Sequence, residues 1–365
     1  MMLAKPQFQP FIIFGGPSSE RLVSVATAQN LSRLLPDARC WFWHQLGEVS
    51  EVSKTELQEH ARPFECEFKP KPIQAWKTIS SALDSIGQTT GSASVAESLK
   101  PVFVLGLHGK GGEDGELQKL FEDRHFAFTG SGSQASRIAF NKSEAKKSVS
   151  ARQVLTPPAE VVIGSQLTEA RQILEKLLVQ YSRLVVKPQS DGSSHGLCFV
   201  DRSQPASLTE TLKVLEKMPT EKFVAEAFIS GVELTVGVYD SEAGLRALPP
   251  TEVRIEAGRQ FDYEGKYLGK GTAEITPAEV SESVTLMAQK LALAAHEAVG
   301  CMGYSRTDMI IEKLPNGDYR PVFLEINNLP GMTKASLIPQ QLAVAKISMS
   351  DFMQRQIQLA ILRSS

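Results

Sequence analysis

Residues 11–35, FIIFGGPSSERLVSVATAQNLSRLL, restrict the fold more than any other stretch of the chain. A four-residue apolar run closed by Gly15 and Gly16 reads as a buried strand entering a tight turn. Leu22, Val25, Ala26, Leu31 and Leu34 then recur partly at helical spacing, with Ser18 or Ser19 as the candidate N-cap. The arrangement returns at PVFVLGLHG, residues 101–109, which runs through a second glycine-rich turn into KGGEDGELQKLFED. Strand–loop–helix units of this kind belong to an α/β domain.

At 365 residues the chain exceeds one ordinary core, and roughly two or three domains are expected. With 22% charged residues and a formal net charge of −2, no basic surface for nucleic acid is indicated. Cys40, Cys66, Cys198 and Cys301 are scattered and form no CxxC pair, so neither a zinc site nor a disulfide framework is suggested. The N-terminal apolar run is too short for a signal peptide and no stretch approaches 18 apolar residues, so no membrane partner is expected and a cytoplasmic location is.

From about Gln45 to Lys100 the sequence is polar and poorly periodic. Beyond Asn141 the texture changes: KSEAKKSVSARQ and LTEARQILEKLL read as helices, TPPAEVVI as a strand entry, and LVVKPQSDGSSHGLCFV as a hairpin. FVAEAFISGVELTVGVYD reads as two strands joined at Ser230-Gly231. A glycine-rich, charged loop of the kind that carries function spans 254–280. SESVTLMAQKLALAAHEAVG is the clearest helix, and TDMIIEKL and PVFLEINN close the pattern as paired strands.

Asp308 begins one of these last strands, Glu325 ends its neighbour, and Asn327 lies two residues on, on the same face. Hard oxygen donors so spaced suit Mg²⁺; an acidic pair on paired strands also suits a solvated face. Lys187, after LVV, stands where a phosphate could meet it, or as an edge-strand lysine that blocks aggregation. There is no GxxxxGK[ST] and no GxGxxG after the first strand, so a nucleotide site would be of neither the P-loop nor the dinucleotide type.

Taken together, GGPSSERLVS (15–24), LHGKGGEDGELQ (107–118), FTGSGSQAS (128–136), VVKPQSDGSSHG (185–196), FDYEGKY (261–267), GYSRTDM (303–309) and LEINNLPGMTKASLIP (324–339) resemble the D-alanine–D-alanine ligases, in the order that family shows them. The resemblance spans roughly residues 11–345. It implies an ATP-grasp fold: an N-terminal open parallel-sheet α/β domain at 1–137, and an α+β ATP-binding part divided into a central subdomain, 138–231, and a C-terminal one, 232–365, with a lid loop at 256–277. It also implies ATP-dependent joining of two D-alanines through an acyl phosphate, for peptidoglycan precursors, in a homodimer.

The same resemblance implies roles residue by residue. Asp308, Glu325 and Asn327 would hold two Mg²⁺ (or Mn²⁺) ions bridging the ATP phosphates. Lys142 and Lys187 would contact the α- and β-phosphates, and Lys266 the γ-phosphate. Glu226 would face the adenine amino group and Glu233 the ribose, with Ala227, Phe228 and Ile229 against the ring. Glu20 would receive the ammonium of the first D-alanine; outside this motif it would read as a helix-start glutamate favoured by the dipole. Arg306 and the N–H of Gly331 would stabilise the oxyanion, Ser336 would bind the carboxylate of the second D-alanine, and His108 would stand at the edge of the site. Ser193, with Ser194 beside it on the phosphate loop, would latch a lid together with Glu20 and Tyr267.

Some positions depart from the family pattern. Gly265 stands where alanine is usual, Asn328 replaces a common threonine, and His195 a small or apolar residue. Lys266-Tyr267 is retained, whereas ligases that form D-alanyl-D-lactate typically carry another residue for that tyrosine, so a dipeptide product is expected. The alternatives are a related ligase whose second substrate is D-serine, D-lactate or another amino acid, and a regulatory nucleotide-binding protein, against which the intact metal and phosphate residues argue.

Overall fold

The computed structural model describes residues 8–89, 99–190, 196–255 and 272–364. The expected contributions of Ser193, Ser194, Lys266 and Tyr267, and the departures at His195 and Gly265, lie outside the described residues.

The first six strands, β1 (Phe8–Gly15), β2 (Arg39–Trp43), β3 (Val49–Val52), β4 (Gln74–Trp76), β5 (Lys100–Leu105) and β6 (Ala127–Phe128), form one sheet in the order β4-β3-β2-β1-β5-β6. β2, β1, β5 and β6 run parallel. The apolar run of β1 is central because it is flanked on both sides, and Phe11 to Phe14 are all buried. β3 and β4 join antiparallel, so the sheet is mixed at one edge rather than wholly parallel. They come from the polar 45–100 region, where three- and four-residue strands are too short to show a hydrophobic period.

A second sheet has the order β7-β10-β8-β9, from β7 (Ala159–Ile163), β8 (Arg183–Pro188), β9 (Cys198–Asp201) and β10 (Lys222–Ala227), all antiparallel. Helices Leu167–Tyr181 and Pro205–Lys217 bury Leu174, Leu178, Leu212 and Leu215 against it. The expected hairpin is β8–β9. β8 is an interior strand, which removes the edge-strand reading of Lys187.

The third sheet runs β14-β13-β11-β15-β16, with β12 on β11, from β11 (Val232–Ser241), β12 (Gly244–Ala247), β13 (Thr251–Ile255), β14 (Thr272–Ile275), β15 (Tyr304–Lys313) and β16 (Tyr319–Asn327). One of these strands, β14, and the last two residues of β13 fall in the stretch expected to be a loop. β15 alternates buried and half-buried residues along most of its length, as one covered face requires. Its cover is the helix Glu282–Val299, which buries Val284, Ala288, Leu291, Ala295 and Val299. The helix Met349–Ser364 returns to the first sheet, where Ala360 packs beside Val102 and Ala127 and Arg363 donates to the carbonyls of Phe128 and Gly130.

Candidate active site

One cleft collects residues from turns far apart in sequence. Glu20, His108, Glu113, Arg306, Asp308 and Glu325 line it, and so do Lys142, Glu233, Asn327, Gly331 and Ser336.

Its first wall is built by the turns after β1 and β5, the two adjacent parallel strands whose C-terminal ends meet there. The helix Arg21–Leu34 starts one residue later than a Ser19 cap would require and two later than a Ser18 cap: Glu20 occupies the N-cap position, and its side chain makes no capping bond. Ser18 Oγ instead accepts from Glu20 N at 3.0 Å. The Glu20 carboxylate lies over Gly109, where φ is +66° and a Cβ would overlap Ser18 Oγ and come within 2.8 Å of Glu20 Oε2. The glycine is therefore required twice, for its left-handed backbone and for the approach of the carboxylate.

His108 is buried, with Nε2 2.9 Å from Thr27 Oγ1 and Nδ1 3.9 Å from Glu113 Oε1. Burial lowers its pKa, against the attraction of Glu20. Glu113 is pushed the other way, up to about 8, by burial and by the neighbouring charge of Glu20. Glu113 lies inside the HGKGGEDG motif, yet nothing in its spacing sets it apart from Asp114, which caps the turn by accepting from Gly111 N and Glu116 N.

The opposite wall is the β15–β16 pair. Asp308 sits in mid-strand rather than at the strand start, because β15 begins at Tyr304. It is directly across from Glu325, Arg306 is across from Asn327, and the register breaks between Asp308 and Met309. The expected acidic pair is therefore real, and it faces the cleft. Asp308 accepts from Thr235 Oγ1 and, bidentately, from Arg306 Nε and Nη2 at 2.9 Å each. Asn327 Oδ1 accepts from Leu329 N, which fixes the turn leading to Gly331. Ser336 stands at the start of the helix Leu337–Val344 without capping it. Its Oγ is 2.7 Å from Thr333 Oγ1 and would lie 2.8 Å from a Cβ on Gly331, so that glycine keeps the two groups adjacent.

The lysines lie on the second sheet and the helix Lys142–Ser150. Asn141 caps this helix by accepting from Ser143 N and Glu144 N, and it also accepts from Gln189 Nε2, while Lys142 N donates to Gln189 O. The helix is thereby tied to the end of β8. Lys142 Nζ is 3.8 Å and Lys187 Nζ 4.0 Å from Glu325 Oε2, and Lys187 is 3.4 Å from Glu226 Oε2. Burial alone would lower the pKa of Lys187, but Glu226 and Glu325 outweigh it and raise it. Ala227 ends β10; the ring of Phe228 is covered by the Arg183 guanidinium, 4.1 Å from its centroid.

Besides Glu113, further residues escaped the sequence reading. Phe64 lines the cleft from the 45–100 region, where no motif pointed to it. Glu274, on β14, lines it too, and burial raises its pKa. Lys146 is buried beside Glu226; the signal available was its place one helical turn after Lys142.

The family described as D-ala D-ala ligase N-terminus matches residues 9–131, and D-ala D-ala ligase C-terminus matches 155–358. The chain belongs to the D-alanine–D-alanine ligase family. A D-alanine–D-alanine ligase of Leptospira interrogans is 38% identical over 72% of this chain and 74% of its own. One of Leptospira biflexa is 31% identical over 93% of this chain and 95% of its own. Among solved structures, the VanG D-Ala:D-Ser ligase of Enterococcus faecalis superposes with a TM-score of 0.77 at 25% identity, covering 97% of this chain and 99% of that one. The architecture is thus the ATP-grasp fold of this family. Among the described residues, no helix is long and apolar enough to cross a membrane.

Proposed function

We propose that this ligase joins two D-alanines, using ATP, through an acyl phosphate. The observation that carries the reading is that Glu20, Arg306, Gly331 and Ser336 line one cleft together with Asp308, Glu325 and Asn327. A carboxylate is a poor electrophile, and its encounter with ATP brings two anions together, so the site has to supply positive charge. Arg306, Lys142 and Lys187 supply it from the protein.

In this reading Glu20 accepts the ammonium of the first D-alanine and sets its carboxylate toward the γ-phosphate of ATP. The γ-phosphoryl group passes to that carboxylate and ADP leaves. The amine of the second D-alanine, held by its own carboxylate at Ser336, attacks the acyl carbon; the C–O bond to the phosphoryl group then breaks, and phosphate leaves with that electron pair and takes the proton the amine gives up. Arg306 and the N–H of Gly331 stabilise the oxyanion. His108, packed between Thr27 and Glu113, holds the edge of the first pocket. Lys266 on the γ-phosphate, with Ser193, Ser194 and Tyr267 as the lid latch, completes the proposal and keeps water from the acyl phosphate.

Asp308, Glu325 and Asn327 form an all-oxygen donor set on one face of paired strands, which fits Mg²⁺ or Mn²⁺ shared with phosphate oxygens. When bound, such ions neutralise the phosphates. Glu226 and Glu233 are assigned to the amino group and ribose of ATP, with Ala227 to Ile229 at the ring. The division into domains at 1–137, 138–231 and 232–365, a cytoplasmic location and a homodimeric state are part of the same proposal.

The test is phosphate release from ATP with D-alanine, L-alanine, D-serine and D-lactate, singly and in pairs. Turnover with D-alanine alone is expected, and its absence would sink the reading. A second reading, D-alanyl-D-serine formation, draws on the likeness to the D-Ala:D-Ser ligase; it predicts that adding D-serine to D-alanine diverts most product to the mixed dipeptide.

A further inference from the structure

Lys146 takes no part in the reaction as described, yet its side chain is 8% exposed and its ammonium lies 3.1 Å from Glu226 Oε1, whose own side chain is 3% exposed. Lys187 approaches the other oxygen of the same carboxylate. Glu226 is thus held between two lysines from different elements: Lys187 on β8, the strand beside its own, and Lys146 on the helix Lys142–Ser150, which packs on β16 and on the helix Glu282–Val299.

The two lysines differ in what else they can do. Lys187 is shared, with Glu325 at 4.0 Å and Glu226 at 3.4 Å, and it is assigned above to phosphate. Among the described residues, Lys146 makes its only ion pair with Glu226. Its helix is anchored at Asn141 and Gln189, and neither Lys146 nor Glu226 lines the cleft. Burial lowers the pKa of Lys146 to about 8, against the attraction of Glu226, which leaves it charged at neutral pH. A buried ion pair is weak support for stability, since well-packed apolar residues often do as well. It is a strong device for fixing the direction and charge of an acceptor.

We infer that Lys146 is the fixed counter-ion that orients Glu226 and makes the base pocket select a 6-amino purine over a 6-oxo purine. The inference rests on the assignment of Glu226 to the amino group of ATP. An ionised carboxylate only accepts hydrogen bonds, so it takes the N–H of a 6-amino group and repels the lone pairs of a 6-oxo group. When a nucleotide phosphate engages Lys187, Lys146 is the cation that stays. Without that cation nothing among the described residues holds the carboxylate in place on the Oε1 side, so its preference for an N–H over a lone pair weakens.

The experiment compares the dissociation constants of ATP and inosine triphosphate by calorimetry for the full-length protein and for Lys146→Met, Lys146→Gln and Lys146→Arg. The unmodified protein is expected to prefer ATP. Met and Gln, which remove the charge, should lower that preference about tenfold or more, the usual worth of a hydrogen bond to a charged group, while Arg, which keeps the charge, should retain it. A purely structural lysine would weaken both nucleotides alike, so an unchanged ratio in a folded Met or Gln variant overturns the inference. Gln, which keeps a polar donor, carries the test if Met folds poorly. An unmodified protein with no preference between the two nucleotides would instead overturn the assignment of Glu226, and the inference with it.

Discussion

Arg306 donates through Nε and Nη2 to both oxygens of Asp308, each at 2.9 Å. The arginine assigned to the reacting oxygen is thus held by a carboxylate assigned to the metal, two residues along one strand. The fork is planar and geometry-specific, which a lysine cannot reproduce. Arg306→Lys should therefore lower kcat about a hundredfold or more, the scale of losing one oxyanion donor, with a smaller change in KM for ATP. Steady-state kinetics decide it; an equal loss in ATP affinity with kcat intact would contradict the role.

The left-handed Gly109 bears directly on Glu20. Gly109→Ala would strain the backbone by about 1 to 3 kcal/mol and displace the Glu20 carboxylate. The KM for D-alanine at the first site should rise by roughly tenfold, since about 1.4 kcal/mol of lost binding is tenfold, with ATP binding little affected. Substrate titrations at saturating ATP measure this.

Glu113 is protonated more readily in the folded protein than its ordinary value near 4.5 allows, with a folded pKa of about 8. Its contribution to stability is fully present below the unfolded value and is lost as pH rises through the folded one. Glu113→Gln should therefore gain stability relative to the unmodified protein between pH 5 and pH 9, read as the difference in melting temperature across that range.

His296 is buried, with Nδ1 2.8 Å from Ser305 Oγ, and burial lowers its pKa from 6.5 to about 4. Here the sign reverses: the neutral ring stabilises the fold above the unfolded value, and the contribution is lost as pH falls from 6.5 toward 4. Denaturant melts should show a loss on the order of 3 kcal/mol over that range, and a folded His296→Gln variant should lose correspondingly less.

Much of the site was legible because its residues sit in glycine-punctuated motifs whose turns depend on local sequence. Glu20, His108, Asp308, Glu325, Asn327, Gly331 and Ser336 all came from such motifs, and all line one cleft. The short antiparallel strands were not legible: Val49–Val52 and Gln74–Trp76 carry too few residues for a period, and they are placed by pairing, the first on β2 and the second on the first. Glu20 at the N-cap in place of a serine reflects a carboxylate drawn to the cleft rather than to the helix end.

By itself the sequence determined where strands give way to turns and which polar groups those turns present, because apolar runs, glycines and helical spacing act over a few residues. Only the tertiary structure decided which charges meet. Lys187 is interior rather than at an edge because β10 and β9 flank its strand, and Lys146 pairs with Glu226 across 80 residues of chain. Such contacts depend on how sheets and helices pack in three dimensions, and electrostatic pairing between elements leaves no local period to read.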